Sequence, residues 1–315
     1  MFECRNCRDQ LFDLVYRNLP DRLHGKAGVF SYVRCRGCGL VQLLNVPDDL
    51  GAYYEGYSLH TQKSLTYRAF RRLLLGHCYP LPRGRTGRLL DVGCGEGWYM
   101  RLAARRGWRV CGYELDGEYA RTLSKHTGLE VVAGVDALEG RGGQFDLVTF
   151  HFSFEHLTAP TRMLSLAFRK LAPGGRVYIS LPNPAGREAR AFGGRWFHID
   201  PPRHITLFTK AQIRDLLART GFEGARVRNL PAPTGFAGSL SYLLAGRMSQ
   251  PIWLAATAPG VVWSLFVGDG MFAVTARKPL APAPPTWDEG RYEPEVPQRA
   301  PVPRDQARAR AARPQ

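Results

Sequence analysis

The sequence predicts an α/β fold: a mostly parallel sheet flanked by helices, with a small metal-binding module ahead of it. Three observations carry this expectation. Four cysteines fall in two Cys-x-x-Cys pairs, Cys4/Cys7 and Cys35/Cys38. Between residues 86 and 278 short apolar runs alternate with amphipathic stretches, the rhythm of βαβ units. A glycine cluster, Gly93-Cys94-Gly95-Glu96-Gly97, follows the first apolar run and opens a helix.

The bulk numbers bound the answer. At 315 residues and 44% hydrophobic content the chain is long enough for one large domain plus an appended module, and wholesale disorder is excluded. The formal net charge is +16, carried almost entirely by arginine, since Lys26, Lys63, Lys125, Lys170, Lys210 and Lys278 are the only lysines. A basic chain suits an anionic substrate, a nucleic acid or an anionic membrane surface. The cysteine count, 7, is odd, and the paired spacing reads as metal binding in a reducing compartment, not as a disulfide framework. No apolar signal-type segment opens the chain, so a cytoplasmic place is expected, with peripheral contact at the inner membrane face as a further option.

In chain order, residues 1–44 form the cysteine module and 45–85, rich in Tyr and Arg, are expected to be a helical connector. The large zone, 86–278, begins with a strand at Arg88–Val92, a helix at Trp98–Arg106 and a strand at Arg109–Tyr113. A helix around Gly117–His126 and a strand at Glu130–Ala133 follow, then a strand at Phe145–Phe150. Pro160–Leu171 reads as a helix ended by Pro173-Gly174-Gly175, and Arg176–Leu181 as the next strand. Thr209 and Gln212 form a capping box opening a helix to about Thr220, because the hydroxyl and the amide can satisfy orphan N–H groups reciprocally. Last strands are expected at Ala225–Asn229 and Met271–Arg277. From 279 to 315 the chain is rich in Pro, Ala and Arg and cannot bury a core, so a disordered tail is expected.

Two Cys-x-x-Cys turns aim four sulfurs at one point, and four thiolates complete a closed tetrahedral shell for Zn2+. Cys4, Cys7, Cys35 and Cys38 therefore predict a structural zinc ribbon with no open position for a substrate. Cys78, Cys94 and Cys111 stand alone and read as small core residues.

The stretch Leu89-Leu-Asp-Val-Gly-Cys-Gly-Glu-Gly97 departs from a dinucleotide fingerprint, whose third glycine would fall where Trp98 stands. Asp91 before the glycines would repel a pyrophosphate and suits a cationic amino group. This stretch resembles the first motif of class I S-adenosylmethionine-dependent methyltransferases. Val110-Cys-Gly-Tyr-Glu114 resembles their second-strand end, whose acid receives the ribose hydroxyls. Gly134-Val-Asp136-Ala137 resembles the adenine-side motif. Phe145-Asp-Leu-Val, Phe154-Glu-His-Leu157 and Leu171-Ala-Pro-Gly-Gly-Arg176 follow in the expected order. Ala52-Tyr-Tyr-Glu-Gly-Tyr57 and Trp196-Phe-His-Ile-Asp-Pro-Pro-Arg-His204 extend the likeness to zinc-ribbon methyltransferases of the type-11/type-23 kind. The resemblance implies a Rossmann-like fold, a seven-stranded mostly parallel sheet whose last strand is antiparallel, and S-adenosylmethionine as cofactor. It places cofactor contacts at Asp91, Gly93, Cys94, Gly95, Glu114, Leu115, Asp136, Ala137 and His151.

The acceptor is expected beyond the C-terminal strand ends. His156, His198 and His204 are the candidate bases, with Glu155, Asp200 and Arg203 beside them; each has a structural reading as a loop or cap residue. Some relatives place a second Glu three residues before the Glu-His pair and bind a metal ion with the set; Phe152 stands there in this chain, which speaks against metal assistance. Tyr53, Tyr54 and Tyr57 either line the cationic cofactor or pack. Residues 231–269 are an apolar insertion, uncharged from Met248 to Gly268, in which Pro251 and a break at Pro259-Gly260 argue against a membrane span. Two short helices forming a lid over an apolar acceptor are expected, with shallow membrane docking as the alternative. Function is expected to be methyl transfer to oxygen or carbon of a small molecule: a sugar, a lipid-linked glycan or a secondary metabolite. The alternative is an RNA methyltransferase using the ribbon and the basic surface, favoured weakly by the interleaved residues at Tyr67–Arg72.

Overall fold

The computed structural model describes residues 2–54, 78–81 and 86–281. Most of the expected helical connector, with Tyr57 and Tyr67–Arg72, lies outside the described residues, as does the tail from 282 onward. The described part of the connector contains the 3-10 turn Leu50–Tyr53, whose Ala52 N–H donates to Asp49 Oδ1 at 3.1 Å.

The large domain is a seven-stranded sheet in the order β10-β11-β8-β7-β4-β5-β6. Its strands are β4 (Arg88–Val92), β5 (Arg109–Glu114), β6 (Glu130–Ala133), β7 (Phe145–His151), β8 (Leu171–Pro182), β10 (Glu223–Leu230) and β11 (Met271–Arg277). β4 pairs in parallel with β5 and β7, β5 with β6, and β7 with β8; β11 runs antiparallel to both β8 and β10. Strand alternation divides the core in two, because successive side chains face opposite sides of the pleat. Leu90, Val148, Phe150, Val177, Ile179 and Val274 pack with Leu164, Phe168, Ile213 and Leu217. Leu89, Leu147, Tyr178 and Ala273 face the other way, onto Tyr99 and Ala103.

The helices are α1 (Trp98–Ala104), α2 (Gly117–Thr127), α3 (Val135–Gly140), α4 (Pro160–Lys170), α5 (Arg187–Phe192), α6 (Lys210–Arg219), α7 (Pro233–Ala245) and α8 (Gln250–Phe266). The Thr209/Gln212 capping box is present: Gln212 N–H donates to Thr209 Oγ1 at 3.3 Å, and Thr209 N–H to Gln212 Oε1 at 2.8 Å.

Two local expectations are corrected. Pro173-Gly174-Gly175 does not stop α4 from outside the sheet. The strand begins at once with Leu171 opposite Phe145, then jumps register so that Leu147 meets Arg176. The Pro-Gly-Gly residues form a bulge inside β8. Pro259 does not break the insertion either: α8 runs through it from Gln250 to Phe266. The freed carbonyl costs one hydrogen bond, but the helix is braced against α7, where a Cβ on Gly260 would stand 2.5 Å from the Pro233 carbonyl.

The N-terminal module is a second sheet, ordered β1 (Phe12–Pro20), β2 (Val29–Cys35), β3 (Val41–Leu43), β9 (Thr206–Leu207). Its fourth strand comes from the large domain. Tyr32, Leu43, Trp196, Ile199 and Leu207 share one buried cluster across that junction. Tyr32 Oη donates to the His204 carbonyl at 2.7 Å, and Gln212 Nε2 to the Cys38 carbonyl at 2.9 Å. Arg203, fully buried, holds Asp21 of the module and Asp200 of its own loop at 2.7 and 2.5 Å.

Candidate active site

The cysteine pairs converge as their spacing predicts. Cys4 Sγ lies 3.5 Å from Cys38 Sγ and Cys7 Sγ 3.4 Å from Cys35 Sγ. All four sulfurs fall within 4.8 Å of one another. Thiolates bound tetrahedrally to zinc at about 2.3 Å stand about 3.8 Å apart, so the donor set is compatible with a zinc ion. Cys78, Cys94 and Cys111 are buried single thiols, as expected of core residues.

At the C-terminal edge of the large sheet, β4 runs into the glycine turn. Gly93 has φ +70°, and a Cβ there would stand 2.5 Å from the Ser153 side chain, so both conformation and space demand glycine. Asp91 is 2% exposed and accepts from Thr149 Oγ1 at 2.8 Å. Burial pushes its carboxyl up to about 7, against the opposing pull of the Thr149 hydrogen bond. Glu114, at the end of β5, accepts from Gly95 N–H at 2.6 Å. Burial likewise lifts it to about 7; that N–H bond lowers it and the nearby Asp91 adds to the rise. Leu115, Asp136 and Ala137 are exposed along the same rim. Cys94 turns its side chain inward, against Gly112 and Met100 and beside the Glu114 carboxyl.

His151, at the end of β7, is enclosed by Tyr79, Tyr99 and Tyr178 at ring distances of 4.6, 4.2 and 5.0 Å. Burial holds the imidazole neutral, down at about 3, against the opposing pull of the Cys78 backbone. Phe152 then takes φ +52°, unusual for a bulky residue, and turns the chain sharply. That turn lets Ser153 Oγ donate to the Val92 carbonyl at 2.5 Å and places Glu155-His156 in a short 3-10 turn, Phe154–His156.

Here the structure assembles a group scattered in the sequence. Ile205 N–H donates to the Glu155 carbonyl at 2.8 Å, which lays the segment after β8 against the turn after β7. Glu155, His156 and His204 consequently bring ligand atoms within 4.8 Å of each other. His204 Nδ1 donates to the His198 carbonyl at 2.7 Å, leaving Nε2 with its lone pair 4.0 Å from Glu155 Oε1. His156 Nδ1 shares a 2.8 Å hydrogen bond with Tyr54 Oη. Burial pushes Glu155 up to about 8 and pulls both histidines below the ordinary imidazole value, His156 the further of the two with His204 beside it.

His198 is separated from that group. Its ring packs on Trp196 and Phe197 under α7, where a Cβ on Gly235 would stand 2.6 Å from both His198 Nε2 and Glu188 Oε1. Tyr53 is likewise structural: its hydroxyl donates to the Ala27 carbonyl at 2.7 Å and its ring packs on Phe30, while Tyr54 faces the histidines. Sequence reasoning missed Thr149. It sits opposite Asp91 in the β4–β7 register, and a lone hydroxyl in a buried strand beside a buried acid was the available signal.

Sheet order, the glycine turn and the two acids define a class I, Rossmann-like, S-adenosylmethionine-dependent methyltransferase. The chain belongs to the methyltransferase-domain family Methyltransf_23, which it matches over residues 61–227. It is 35% identical over 105 residues to a ubiquinone biosynthesis O-methyltransferase of Psychrobacter arcticus, a match covering 30% of this chain and 41% of that protein. The homologous enzyme of Pseudomonas aeruginosa is 33% identical over 104 residues, with 30% and 44% covered. The chain thus spans less than half the length of these relatives. Among solved structures, a methyltransferase from Archaeoglobus fulgidus has a TM-score of 0.47 at 20% identity, covering 67% of this chain and 99% of its own. The 1,6-didemethyltoxoflavin-N1-methyltransferase of Burkholderia thailandensis has a TM-score of 0.44 at 18% identity, covering 79% and 96%. Among the described residues no helix is long and apolar enough to cross a membrane.

Proposed function

We propose that the protein transfers a methyl group to oxygen, or to an activated carbon, of a small molecule, and that a hydroxyl is the preferred acceptor. The observation that carries this is the Glu155/His156/His204 group, with Glu155 and His204 buried and His156 half-buried, on the strand-end edge that also holds Asp91 and Glu114. A hydroxyl must lose a proton as the methyl arrives, and this group offers lone pairs for it on the acceptor side. The ubiquinone relatives, O-methyltransferases by name, point the same way.

Bound S-adenosylmethionine supplies an electrophilic methyl on a sulfonium. Asp91 is the partner for its amino group, Glu114 with Leu115 for the ribose, and Asp136 with Ala137 for the adenine. The glycine turn lets the backbone approach, and the ring of tyrosines around His151 excludes water beside it. His198, with Glu188, forms the wall toward α7 and is assigned to acceptor contact. α7 and α8 form a lid: Phe197 N–H donates to Ser239 Oγ at 2.9 Å, and Phe236 packs on Phe192 and Trp263. Leu254, Val262, Leu265 and Phe266 are 55–84% exposed on the outer helix, which suits an apolar acceptor or shallow contact with a lipid surface. A zinc ion on Cys4, Cys7, Cys35 and Cys38 is assigned a structural role, holding the sheet that carries β9 and the His204 loop.

The test is transfer of labelled methyl from the donor into fractionated cell extracts. Label is expected in small-molecule or lipid-linked glycan fractions. Label confined to bulk RNA would replace this reading with the nucleic-acid alternative.

A further inference from the structure

We infer that the outer face of α8 lies on the surface of an anionic lipid bilayer, with arginines at the ends of the helix meeting the headgroups. The helix is inverted for one at a protein surface. The side chains it buries against α7 are small: Ala256, Gly260 and Ser264. Leu254, Val262, Leu265 and Phe266 point outward instead, Phe266 with 84% of its surface exposed. Leu254, Ala258, Val262 and Leu265, four, four and three positions apart, follow one stripe of the helix. A surface helix ordinarily turns polar residues to water, yet no charged residue occurs from Met248 to Gly268. Leu243 and Leu244, exposed at the end of α7, lie beside the same hairpin tip.

The charge around this face suits anionic headgroups. Arg247 stands in the turn between the helices, its carbonyl accepting from Ser241 Oγ at 3.0 Å. Met248 N–H donates to the Arg22 carbonyl at 3.0 Å, and Arg195 is near enough to Arg22 for their charges to oppose each other. Arg195 and Arg247 are exposed, so this end of α8 is positive. At the other end the exposed Arg187 donates its backbone N–H to Asp269, the acid that closes the uncharged run. The 17 residues of α8 reach about 26 Å, short of the hydrocarbon thickness of about 30 Å, so the helix lies in the interface and does not cross it. A second copy of the chain is the poorer occupant. A face about 26 Å by about 10 Å covers about a third of the roughly 800 Å² that each partner gives a stable interface, and two such copies would bring their arginines together.

The docking stands on this geometry alone. That the acceptor is then a lipid-linked or lipid-dissolved molecule, reached beneath α7, rests on the proposed function.

The test is sedimentation of the full, zinc-loaded chain with vesicles of phosphatidylcholine, alone or with phosphatidylglycerol in about a 3:1 ratio. Binding to the anionic vesicles is expected, weakening as salt rises. Leu265→Ser with Phe266→Ser should lower partitioning at least about tenfold. Arg195→Ala and Arg247→Ala should each cost about fivefold, on anionic vesicles only. Leu280→Ser, exposed beside Gly174 at the opposite end of the sheet, leaves binding unchanged. Quenching of tryptophan fluorescence by lipids brominated on the acyl chain uses the unaltered chain, whose Trp253 and Trp263 are half-buried on α8, so it decides even where a variant folds poorly. No sedimentation with anionic vesicles, no quenching, or binding indifferent to the Leu265/Phe266 pair overturns the inference. So does a dimer in ultracentrifugation that this pair of substitutions dissolves, which gives the face to a second copy. Methyl transfer to a soluble small molecule without vesicle binding leaves the proposed function standing and removes this inference; vesicle binding with label only in RNA does the reverse.

Discussion

Replacing Arg203 with Met tests how the module and the catalytic domain are joined. Arg203 has no exposed surface; its Nε and Nη2 donate to Asp200 at 2.8 and 2.5 Å, and its Nη1 and Nη2 to Asp21 at 3.0 and 2.7 Å. Burial by itself would raise the Asp21 carboxyl, but the hydrogen bonds from Arg203 and from His24 N–H outweigh it and hold Asp21 below the usual carboxylate range. Methionine fills much of the volume and strips both acids of their counter-charge. Breaking a buried pair in this way costs about 3–5 kcal/mol. At about 2–3 °C per kcal/mol, the melting temperature should fall by about 10 °C. The sign with pH follows from the lowered Asp21: its contribution is present above the ordinary aspartate value and is lost as pH falls through the folded one. The Arg203→Met defect should therefore shrink toward pH 3. Thermal and urea unfolding check this, together with the variant that also carries Asp21→Asn and Asp200→Asn. A neutral amide at position 21 can still accept from the Leu23 and His24 N–H groups, and both amides remove the stranded charges, so this variant should regain at least half of the loss. A single-variant loss under about 1 kcal/mol, or no recovery in the neutralised one, refutes the charge argument.

Three further outcomes are expected. Asp91→Asn should weaken S-adenosylmethionine binding about 10- to 100-fold by calorimetry, as expected for losing a bond to a charged group; the unliganded chain should become no less stable, because an ionisable group leaves the core. Cofactor affinity should rise from pH 6 to pH 8, since Asp91 and Glu114 titrate at about 7 and must be ionised to receive the ligand. Because these two folded values lie above the unfolded ones, the same groups make the unliganded protein less stable as pH rises from about 4 through 7; a flat affinity profile over pH 6–8 contradicts both statements. Stripping metal from the cysteines, or Cys38→Ser, should lower methyl transfer at least about tenfold while cofactor affinity changes less than about twofold, because Gln212 Nε2 and Tyr32 Oη tie that module to α6 and His204, not to the glycine turn.

Much of this protein was legible in the order of its residues, because those features are local. The two Cys-x-x-Cys turns, the strand–glycine–helix passage at Asp91–Trp98, the capping box at Thr209 and the alternating apolar runs each depend on neighbours within a few positions. Glu114, at the end of β5, and Asp136, in the first turn of α3, were picked out by resemblance to methyltransferase motifs and not by periodicity. Tertiary structure alone decided what distant segments do to one another. It gave β9 to the N-terminal sheet, joined Arg203 to Asp21 across 182 positions, and set Thr149 against Asp91. It also left the His198 ring outside the Glu155/His156/His204 group, with only its carbonyl bonded to His204, and set His204 beside Glu155. The reason is physical: a backbone bond from Ile205 to Glu155 and a shared apolar cluster around Trp196 fix these meetings. Neither leaves a periodic trace in the chain, because a long-range contact depends on the path of everything between its ends.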